Sequence, residues 1–355
     1  MHIKRIYLKN FRNYSEQEII LENNINIFFG ENGEGKTNVL ESIFLCSIGK
    51  SFRTKKEKEL IKFNEEKAII EIEYKKIDRD GKIKIVLGPK KEIYINEIKV
   101  KRLSQLLGNI NVVLFSPDDI NILKNGPSNR RRFLNILISQ LKPKYLYILN
   151  LYLKALEQRN NYLRQIKLEN KDRKMLEIWN EKIAEYGIEV YKYRAEFIEK
   201  ILEKINKIHR EITDDKELIK IKYSSDCKCK EKFLEILKKN ENIDIIKGYT
   251  SNGIHRDDFT IYINDKQVNV YGSQGQHRTV ILSLKLAELE IISDEIGEYP
   301  ILLLDDFMSE LDQKRRNNFI NHIENTQIFI TCTEKIDISK SKPVLYKVDN
   351  GKIIL

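Results

Sequence analysis

The stretch "GENGEGKT", residues 30–37, decides the fold of this chain. It satisfies the pattern G-x-x-x-x-G-K-[ST] at every fixed position, a strand-like run precedes it, and a helix is expected over residues 36–47. A glycine-rich turn between a strand and a helix presents backbone amides and the helix N-terminus to an anion. We therefore predict a phosphate-binding loop for a nucleotide, formed by Gly30, Glu31, Asn32, Gly33, Glu34, Gly35, Lys36, Thr37 and Asn38.

Two side chains of this loop carry the expected chemistry. The Lys36 ammonium can reach the β- and γ-phosphates of a nucleoside triphosphate, and the Thr37 hydroxyl can bind Mg²⁺. A nucleoside triphosphate with Mg²⁺ is therefore the expected ligand, and we place Lys36 among the predicted catalytic residues.

The run "ILLLDD", residues 301–306, supplies the carboxylates of the predicted site. Four apolar residues in succession predict a strand that is buried on both faces. Asp305 falls at its C-terminal end, where open α/β sheets bind their ligands. We predict that Asp305 joins Thr37 in holding Mg²⁺ and that Asp306 is the base or positions water. Small-molecule kinases combine the same two motifs, so a phosphoryl-transfer enzyme of the nucleoside kinase type is an alternative on these residues alone.

A polar, glycine-bearing stretch, "YGSQGQHRT" at residues 271–279, precedes a helix expected over residues 276–293. Its "SQGQ" segment resembles the signature motif of the ATP-binding-cassette ATPases, and "FMSELD", residues 307–312, resembles their D-loop. The order of phosphate loop, long insert, signature, Asp pair and D-loop is similar to that in the heads of structural-maintenance-of-chromosomes proteins. Longer segments, among them "IYLKNFRNY", "LFSPDDINILKNGPSNRRRFLN" and "GIHRDDF", resemble the RecF family of bacterial recombination mediators, and the resemblance covers essentially the whole chain.

The resemblance implies a nucleotide site that two copies share. In the family, each nucleotide lies between the phosphate loop of one protomer and the signature of the other. This implies that Ser273 and the amide of Gly275 contact the γ-phosphate of a second copy, with Gln274 and Gln276 beside them. It also implies that Asp312 lies at the dimer seam and that Arg12 belongs to the nucleotide-binding residues.

The resemblance also implies a function. The chain is expected to be an ATP-dependent, DNA-binding recombination mediator whose head-to-head dimerisation on duplex or gapped DNA is driven by ATP. Slow, DNA-stimulated ATP hydrolysis would then release the dimer. With RecO and RecR it would help to load RecA, in DNA repair, replication-fork recovery and the SOS response.

Three departures from the wider cassette superfamily bear on catalysis. Asp306 stands where most of these ATPases have glutamate, and it is one methylene shorter. The segment "FITCT" offers Thr331 and Thr333 where a switch histidine is usual, and "LFSPDD" has no obvious Q-loop glutamine. These departures favour a slow, timer-like ATPase, and the missing histidine also disfavours a transporter ATPase subunit.

The pattern of elements predicts an α/β fold, a cassette-type P-loop ATPase head with mixed sheets plus an inserted, mainly helical second domain. We expect a discontinuous head over residues 1–120 and 245–355 and a helical insert, or short arm, over residues 121–244. Residues 128–214 have a helical pattern with breaks near Pro143 and residues 170–172. An insert this short argues against a long-armed chromosome-organising protein.

The net charge of +10 favours a polyanionic partner. We predict contacts to the DNA backbone from arginines in family-like segments, namely Arg53, Arg130, Arg131 and Arg132; a solvated or salt-bridged surface is the alternative for each of them. Three of them are adjacent at an expected helix start, where positive charge opposes the helix dipole. No base-reading motif is recognisable, so we expect little sequence preference and strong salt dependence.

The sequence also indicates a location. Its apolar runs are far shorter than the roughly 20 residues that span a bilayer, and the first residues lack the apolar core of a signal peptide. We therefore expect a cytoplasmic protein with no membrane partner. The four cysteines are expected to be free thiols.

Overall fold

The structure is a computed structural model that describes residues 1–169, 171–307, 319, 323, 325–333 and 343–354. The chain forms two compact units. The first comprises Met1–Asp119 and Leu282–Leu355, and the second comprises Ile120–Ile281.

Most of the described strands lie in the first 115 residues, a run of helices follows, and strands and helices are mixed after residue 219. The described strands are β1 (His2–Phe11), β2 (Tyr14–Ile20), β3 (Ile25–Phe29), β4 (Ala68–Lys75), β5 (Asp80–Leu87), β6 (Glu92–Ile95), β7 (Ile98–Lys99), β8 (Val112–Phe115), β9 (Ile219–Ser224), β10 (Asp258–Ile263), β11 (Lys266–Gln267), β12 (Ile301–Asp305), β13 (Ile328–Cys332), β14 (Val344–Asp349) and β15 (Lys352–Ile354). The described helices are α1 (Lys36–Ile48), α2 (Asn121–Lys124), α3 (Pro127–Leu141), α4 (Pro143–Glu169), α5 (Lys174–Thr213), α6 (Lys230–Lys239), α7 (Glu241–Lys247), α8 (Val268–Tyr271) and α9 (Gln274–Ile296), with short 3-10 turns at Glu57–Leu60, Leu103–Gln105 and Pro117–Ile120.

A mostly parallel sheet forms the centre of the first unit. Its described strands follow the order β15-β14-β3-β13-β12-β8, in which only β15 pairs antiparallel. Every residue of β12 and β13 is buried, as expected for strands covered on both faces. Because β3 and β12 run in the same direction, the loop after Phe29 and the carboxylate of Asp305 lie at the same edge of the sheet.

An antiparallel sheet completes the first unit. Its described strands follow the order β2-β1-β4-β5-β6-β7, and β4 shows the alternation of buried and half-exposed residues that a one-sided sheet requires. Helix α1 contacts both sheets, β4 and β5 on one side and β8, β12 and β13 on the other. Every residue of α1 except Thr37 is therefore buried.

Helices α2 to α8, the first residues of α9 and a small sheet make up the second unit. The predicted breaks in the helical region are confirmed, because α3 ends at Leu141 before Pro143, and the described part of α4 reaches Glu169 while α5 begins at Lys174. One face of α5 is apolar and packs into the interior of this unit. Its fully buried residues include Ile183, Val190, Phe197 and Ile205. Helix α4 packs along α5 and contributes the other side of this core.

The second unit extends past residue 244, where the helical insert was expected to end. Strand β10 pairs with β9 over six residues, from Asp258 opposite Ser224 to Ile263 opposite Ile219, and β11 continues the same sheet. This pairing groups the chain up to Ile281 with the helices rather than with the first unit. Among the described residues, no helix is long and apolar enough to span a membrane.

Candidate nucleotide-binding site

The loop between β3 and α1 has a backbone that only glycine fits at two positions. Gly30 has a φ of 151° and Gly35 a φ of 117°, both in the region that side chains disfavour. A Cβ atom on Gly30 would lie 2.3 Å from the carbonyl oxygen of Val348, and one on Gly35 would lie 2.5 Å from the Asn13 amide. The predicted loop is therefore a tightly turned segment, packed against β14 and the turn after β1.

Lys36 is the first residue of α1, and its side chain folds back into this loop. Its ammonium donates hydrogen bonds to the carbonyl oxygens of Gly30, at 2.6 Å, and Glu31, at 2.9 Å. The residue is only 4% exposed. A positive charge is thus held inside the turn beside the N-terminus of α1, an arrangement that suits the phosphate oxygens of a ligand.

Thr37 and Asp305 meet beside this loop, although 268 positions separate them in the sequence. The Thr37 hydroxyl donates a 2.7 Å hydrogen bond to Oδ1 of Asp305. Thr331, which lies opposite Asp305 on the neighbouring strand β13, donates a second hydrogen bond of 2.9 Å to the same oxygen. The hydroxyl of Thr37 and the carboxylate of Asp305 are hard oxygen donors, the kind that Mg²⁺ prefers.

The environment of Asp305 acts on its acidity in two directions. Burial raises the pKa of this carboxyl group, while the hydrogen bonds from Thr37 and Thr331 lower it, and the net result is a raised pKa. The neighbouring Asp306 also raises it through charge repulsion. A bound cation would offset the cost of the buried charge, so the residues present fit the predicted metal.

Asp306 differs from Asp305 in its backbone and exposure. It has a φ of 49°, in the left-handed region, and is half-buried, whereas Asp305 is buried. Its amide donates a 3.0 Å hydrogen bond to Oγ1 of Thr331, so this one hydroxyl contacts both acids. The sequence shows Thr331 only as a threonine where a histidine is usual. Because it pairs opposite Asp305 on β13, its hydroxyl is held beside both acids.

Arg12 and Arg53 converge on a buried carboxylate in α1. The Arg12 guanidinium forms two 2.8 Å hydrogen bonds with the carboxylate of Glu41, which is fully buried, and a third with the carbonyl oxygen of Glu59. Arg53 lies 3.8 Å from the same carboxylate and donates a 2.8 Å hydrogen bond to Oδ1 of Asn38. Arg12 thus joins the turn after β1 to α1, and Arg53 borders the phosphate loop with about half of its side chain exposed.

The segment Ser273–Gln276, here called the signature segment, lies at the N-terminus of α9. The Ser273 hydroxyl accepts a 3.1 Å hydrogen bond from the backbone amide of Gln276. Oε1 of the Gln276 side chain accepts a 2.9 Å hydrogen bond from the backbone amide of Ser273. This reciprocal pair is a capping box, which fixes the start of the helix. Helix α9 begins two residues earlier than predicted, and Ser273 and Gln274 are exposed at its positive end.

The arginine triplet at the start of α3 divides into buried and exposed members. Arg130 is buried and forms hydrogen bonds of 2.6 and 2.9 Å with the carboxylate of Asp258, as well as with the carbonyl oxygens of Ile122 and Asn125. Of the two interpretations of the sequence, the salt-bridged one fits Arg130, because its ion pair with Asp258 joins α3 to β10. The other two members follow it along the helix.

Arg131 and Arg132 differ from Arg130 in burial. Arg131 donates a 2.7 Å hydrogen bond to the carbonyl oxygen of Asp257, and burial lowers its pKa. Arg132 is exposed. The predicted D-loop acid, Asp312, lies outside the described residues.

Comparisons with known proteins cover nearly the whole chain. A family profile described as "RecF/RecN/SMC N terminal domain" matches residues 2–352. A protein named "DNA replication and repair protein RecF" from Clostridium tetani is 45% identical, over 100% of this chain and 100% of that protein. One of the same name from Alkaliphilus oremlandii is 43% identical, over 99% of this chain and 100% of that protein. The chain belongs to the RecF family.

Solved structures support the same assignment. A structure described as the recombination mediator protein RecF with ATP in the RecFOR pathway has a TM-score of 0.94 and 38% identity, covering 99% of this chain and 97% of that one. The Smc head domain from Pyrococcus furiosus has a TM-score of 0.57 at 16% identity, which shows a shared fold alone. The predicted resemblance to RecF and the predicted fold class are confirmed, and the chain is a RecF-type recombination and repair protein.

Proposed function

We propose that this RecF-type protein is an ATP-gated DNA clamp whose dimerisation is driven by ATP. The observation that carries the proposal is the hydrogen bond between Thr37 and Asp305, which joins the phosphate loop to the end of β12. Lys36 and the amides at the start of α1 would bind the β- and γ-phosphates of ATP. A bound Mg²⁺ would supply charge neutralisation on these phosphates, and Thr37 and Asp305 would hold it.

Residues around the metal ligands would position water for hydrolysis. Asp306 is less buried than Asp305, and the hydroxyl of Thr331 orients its backbone. Because its backbone is held in place and its side chain is one methylene shorter than that of glutamate, Asp306 would reach the water less easily. A slow rate of hydrolysis fits this geometry. A slow ATPase that is stimulated by DNA would serve as a timer, holding the clamp until the nucleotide is hydrolysed.

The signature segment would complete the nucleotide site of a second copy of the chain. Ser273 is exposed, and it precedes the positive end of α9, a helix of 23 residues. A serine hydroxyl and helix amides form a site that suits a phosphate group. In the proposed dimer, Ser273 and Gly275 of each copy contact the γ-phosphate bound by the other, with Gln274 and Gln276 beside them and Asp312 at the seam.

Duplex and gapped DNA are the proposed partners of the dimer. The chain carries a net charge of +10, and Arg53 and Arg132 are at least partly exposed. These arginines, together with Arg131, would contact the DNA backbone with little sequence preference. RecR, RecO and RecA are proposed as the proteins with which it acts, in replication-fork recovery and the SOS response.

Light scattering of the purified protein tests the proposal. The chain has a mass of 42.1 kDa, and saturating ATP with Mg²⁺ should double the measured mass. Gapped DNA should further favour the dimer and speed ATP hydrolysis. The mass of a monomer at saturating ATP, Mg²⁺ and DNA would contradict the clamp proposal. Phosphorylated small-molecule products would instead indicate a kinase.

A further inference from the structure

A short series of hydrogen bonds within the second unit ends at the signature segment. It runs from His209, near the C-terminus of α5, through Glu217 to Gln276. Gln276 in turn makes both hydrogen bonds of the capping box with Ser273. Each of these contacts lies between residues 120 and 281, so the series belongs to one compact unit.

Glu217 is held firmly by the backbone on either side. Asp214 and Asp215 both have left-handed backbones, with φ of 53° and 57°, and the Asp215 amide bonds back to the Arg210 carbonyl at 2.9 Å. This makes a tight turn directly after α5. On the other side, the amide of Leu218 donates a 2.9 Å hydrogen bond to the side chain of Asn264. These contacts fix the backbone from which the Glu217 side chain extends.

The two carboxylate oxygens of Glu217 contact different partners. Oε2 lies 2.9 Å from Nε2 of His209, and Oε1 accepts a 2.8 Å hydrogen bond from Nε2 of Gln276. A carboxylate only accepts hydrogen bonds, so Nε2 of His209 must carry its proton. Burial lowers the pKa of His209, although Glu217 acts in the opposite direction, so the imidazole is neutral at neutral pH.

The contact with Glu217 decides how the Gln276 amide is oriented. Because its NH₂ group faces a carboxylate, its Oε1 must face the other way, toward the amide of Ser273 at 2.9 Å. Ser273 Oγ accepts a hydrogen bond from the Gln276 backbone amide, which leaves the hydroxyl hydrogen of Ser273 to donate in another direction. Since Ser273 is exposed, an outside acceptor such as a phosphate oxygen can receive it.

We propose that Glu217, supported by His209, is a positioning residue that sets Ser273 to donate to the γ-phosphate bound by a second copy of the chain. This inference rests on the proposed function of the signature segment. A capping box alone would suffice to start α9. The added carboxylate fixes which way the Gln276 amide points, and it links the signature segment to the end of α5, a helix of 40 residues.

Substitutions of Glu217 test the proposal in the full-length protein. Glu217→Ala should leave ATP binding to the monomer unchanged and weaken ATP-dependent dimerisation about tenfold at each of the two symmetric sites, about 100-fold in all, as for loss of a charged hydrogen bond. Glu217→Gln should stay within about threefold of the wild type, because its oxygen can accept from Gln276 and its NH₂ can donate to the other tautomer of His209. Glu217→Asp, which is too short to bridge both partners, should resemble Glu217→Ala, and it provides a second variant if the alanine variant does not fold.

Hydrogen exchange measured without nucleotide gives a readout that does not depend on dimerisation. In Glu217→Ala the amides of residues 273–277 should exchange about tenfold faster, while those of β9 keep the wild-type rate. Glu203→Ala, at an exposed glutamate on α5, should change neither exchange nor dimerisation. Unchanged exchange at residues 273–277 would overturn the positioning role. Failure of the wild type to dimerise with ATP would instead overturn the proposed function.

Discussion

The two halves of the proposed nucleotide site are built in different ways. On one side, Lys36 and Asp305 are 4% and 9% exposed and are fixed by a parallel sheet and a tightly turned loop. On the other side, Ser273 is exposed, and a capping box and one carboxylate fix it at the end of a helix. The first half is organised to bind a nucleotide by itself, whereas the second presents its donor outward.

This difference separates two steps that an ATP-gated dimer must make. Nucleotide binding should depend on the buried half alone, and dimerisation should depend on both halves. Substitutions in the two regions should therefore affect ATP binding and dimerisation differently. A substitution in the signature segment that abolishes ATP binding as well as dimerisation would contradict this difference.

The largest effect is expected at Lys36. Lys36→Met removes the charge held inside the phosphate loop and should weaken ATP binding by roughly 100-fold or more, since charge-assisted contacts to phosphate are lost. Isothermal titration calorimetry measures this directly. Lys50→Met, at an exposed lysine just after α1, is the matched control and should bind ATP normally. Retained ATP affinity in Lys36→Met would contradict the assignment of the loop.

The next effect is expected at the signature segment. Ser273→Arg places a bulky side chain where the partner's phosphate would lie, so ATP should still bind each monomer but the dimer should not form. Sedimentation velocity with ATP and Mg²⁺ measures the second property and calorimetry the first. Normal dimerisation of this variant would show that the signature segment does not contact nucleotide across a dimer.

A smaller effect is expected at Thr331, which contacts both acids. Thr331→Val keeps the shape of the side chain and removes the hydroxyl, so ATP affinity should change little while the hydrolysis rate falls about tenfold. Steady-state phosphate release under saturating ATP measures the rate. Thr260→Val, at a half-exposed threonine on β10, is the control. Equal rates in the two variants would show that Thr331 has no part in orienting the acids.

The smallest effect is expected in the antiparallel sheet, which contains no residue of either half. Glu71 lies 3.0 Å from Lys84 and 3.1 Å from Lys82. Burial would raise the pKa of Glu71, but the hydrogen bonds from these lysines outweigh it and hold the pKa below its usual range. A lowered folded-state pKa stabilises the protein at neutral pH, and this contribution is lost as the pH falls through that value.

Glu71→Gln should therefore lower the free energy of unfolding by about 1 kcal/mol at neutral pH, with a difference that shrinks below about pH 4. Urea denaturation across this range measures it, with Glu66→Gln, at an exposed glutamate, as the control. ATP binding and dimerisation should be unchanged. A difference that grew as the pH fell would contradict the sign of the pKa shift.

The sequence predicts the fold and the buried half of the site well, for physical reasons. The glycine pattern before a helix specifies a phosphate-binding loop from local sequence alone. Parallel strands then bring Thr37 and Asp305 to the same edge of a sheet. The role of Thr331 depends on the register between β12 and β13, which no local motif encodes. It could have been found only by placing these two strands side by side.

Long-range ion pairs were the least predictable feature. The burial of Arg130 depends on Asp258, which lies 128 positions away, so its charge looked like a surface feature in the sequence. The end of the second unit was also missed, because the pairing of β10 with β9 joins segments on both sides of residue 244. The link from His209 to the signature segment is also a long-range contact. No local pattern in the sequence indicates that Glu217 lies beside Gln276.

A mixing experiment tests the shared nucleotide site most directly. Lys36→Met and Ser273→Arg chains should each fail to dimerise and hydrolyse ATP alone. When mixed, they should form a heterodimer with one intact site, made of the phosphate loop of the Ser273→Arg chain and the signature segment of the Lys36→Met chain. We predict that ATP hydrolysis returns in the mixture. A mixture that stays monomeric and inactive would contradict a nucleotide site shared between two copies.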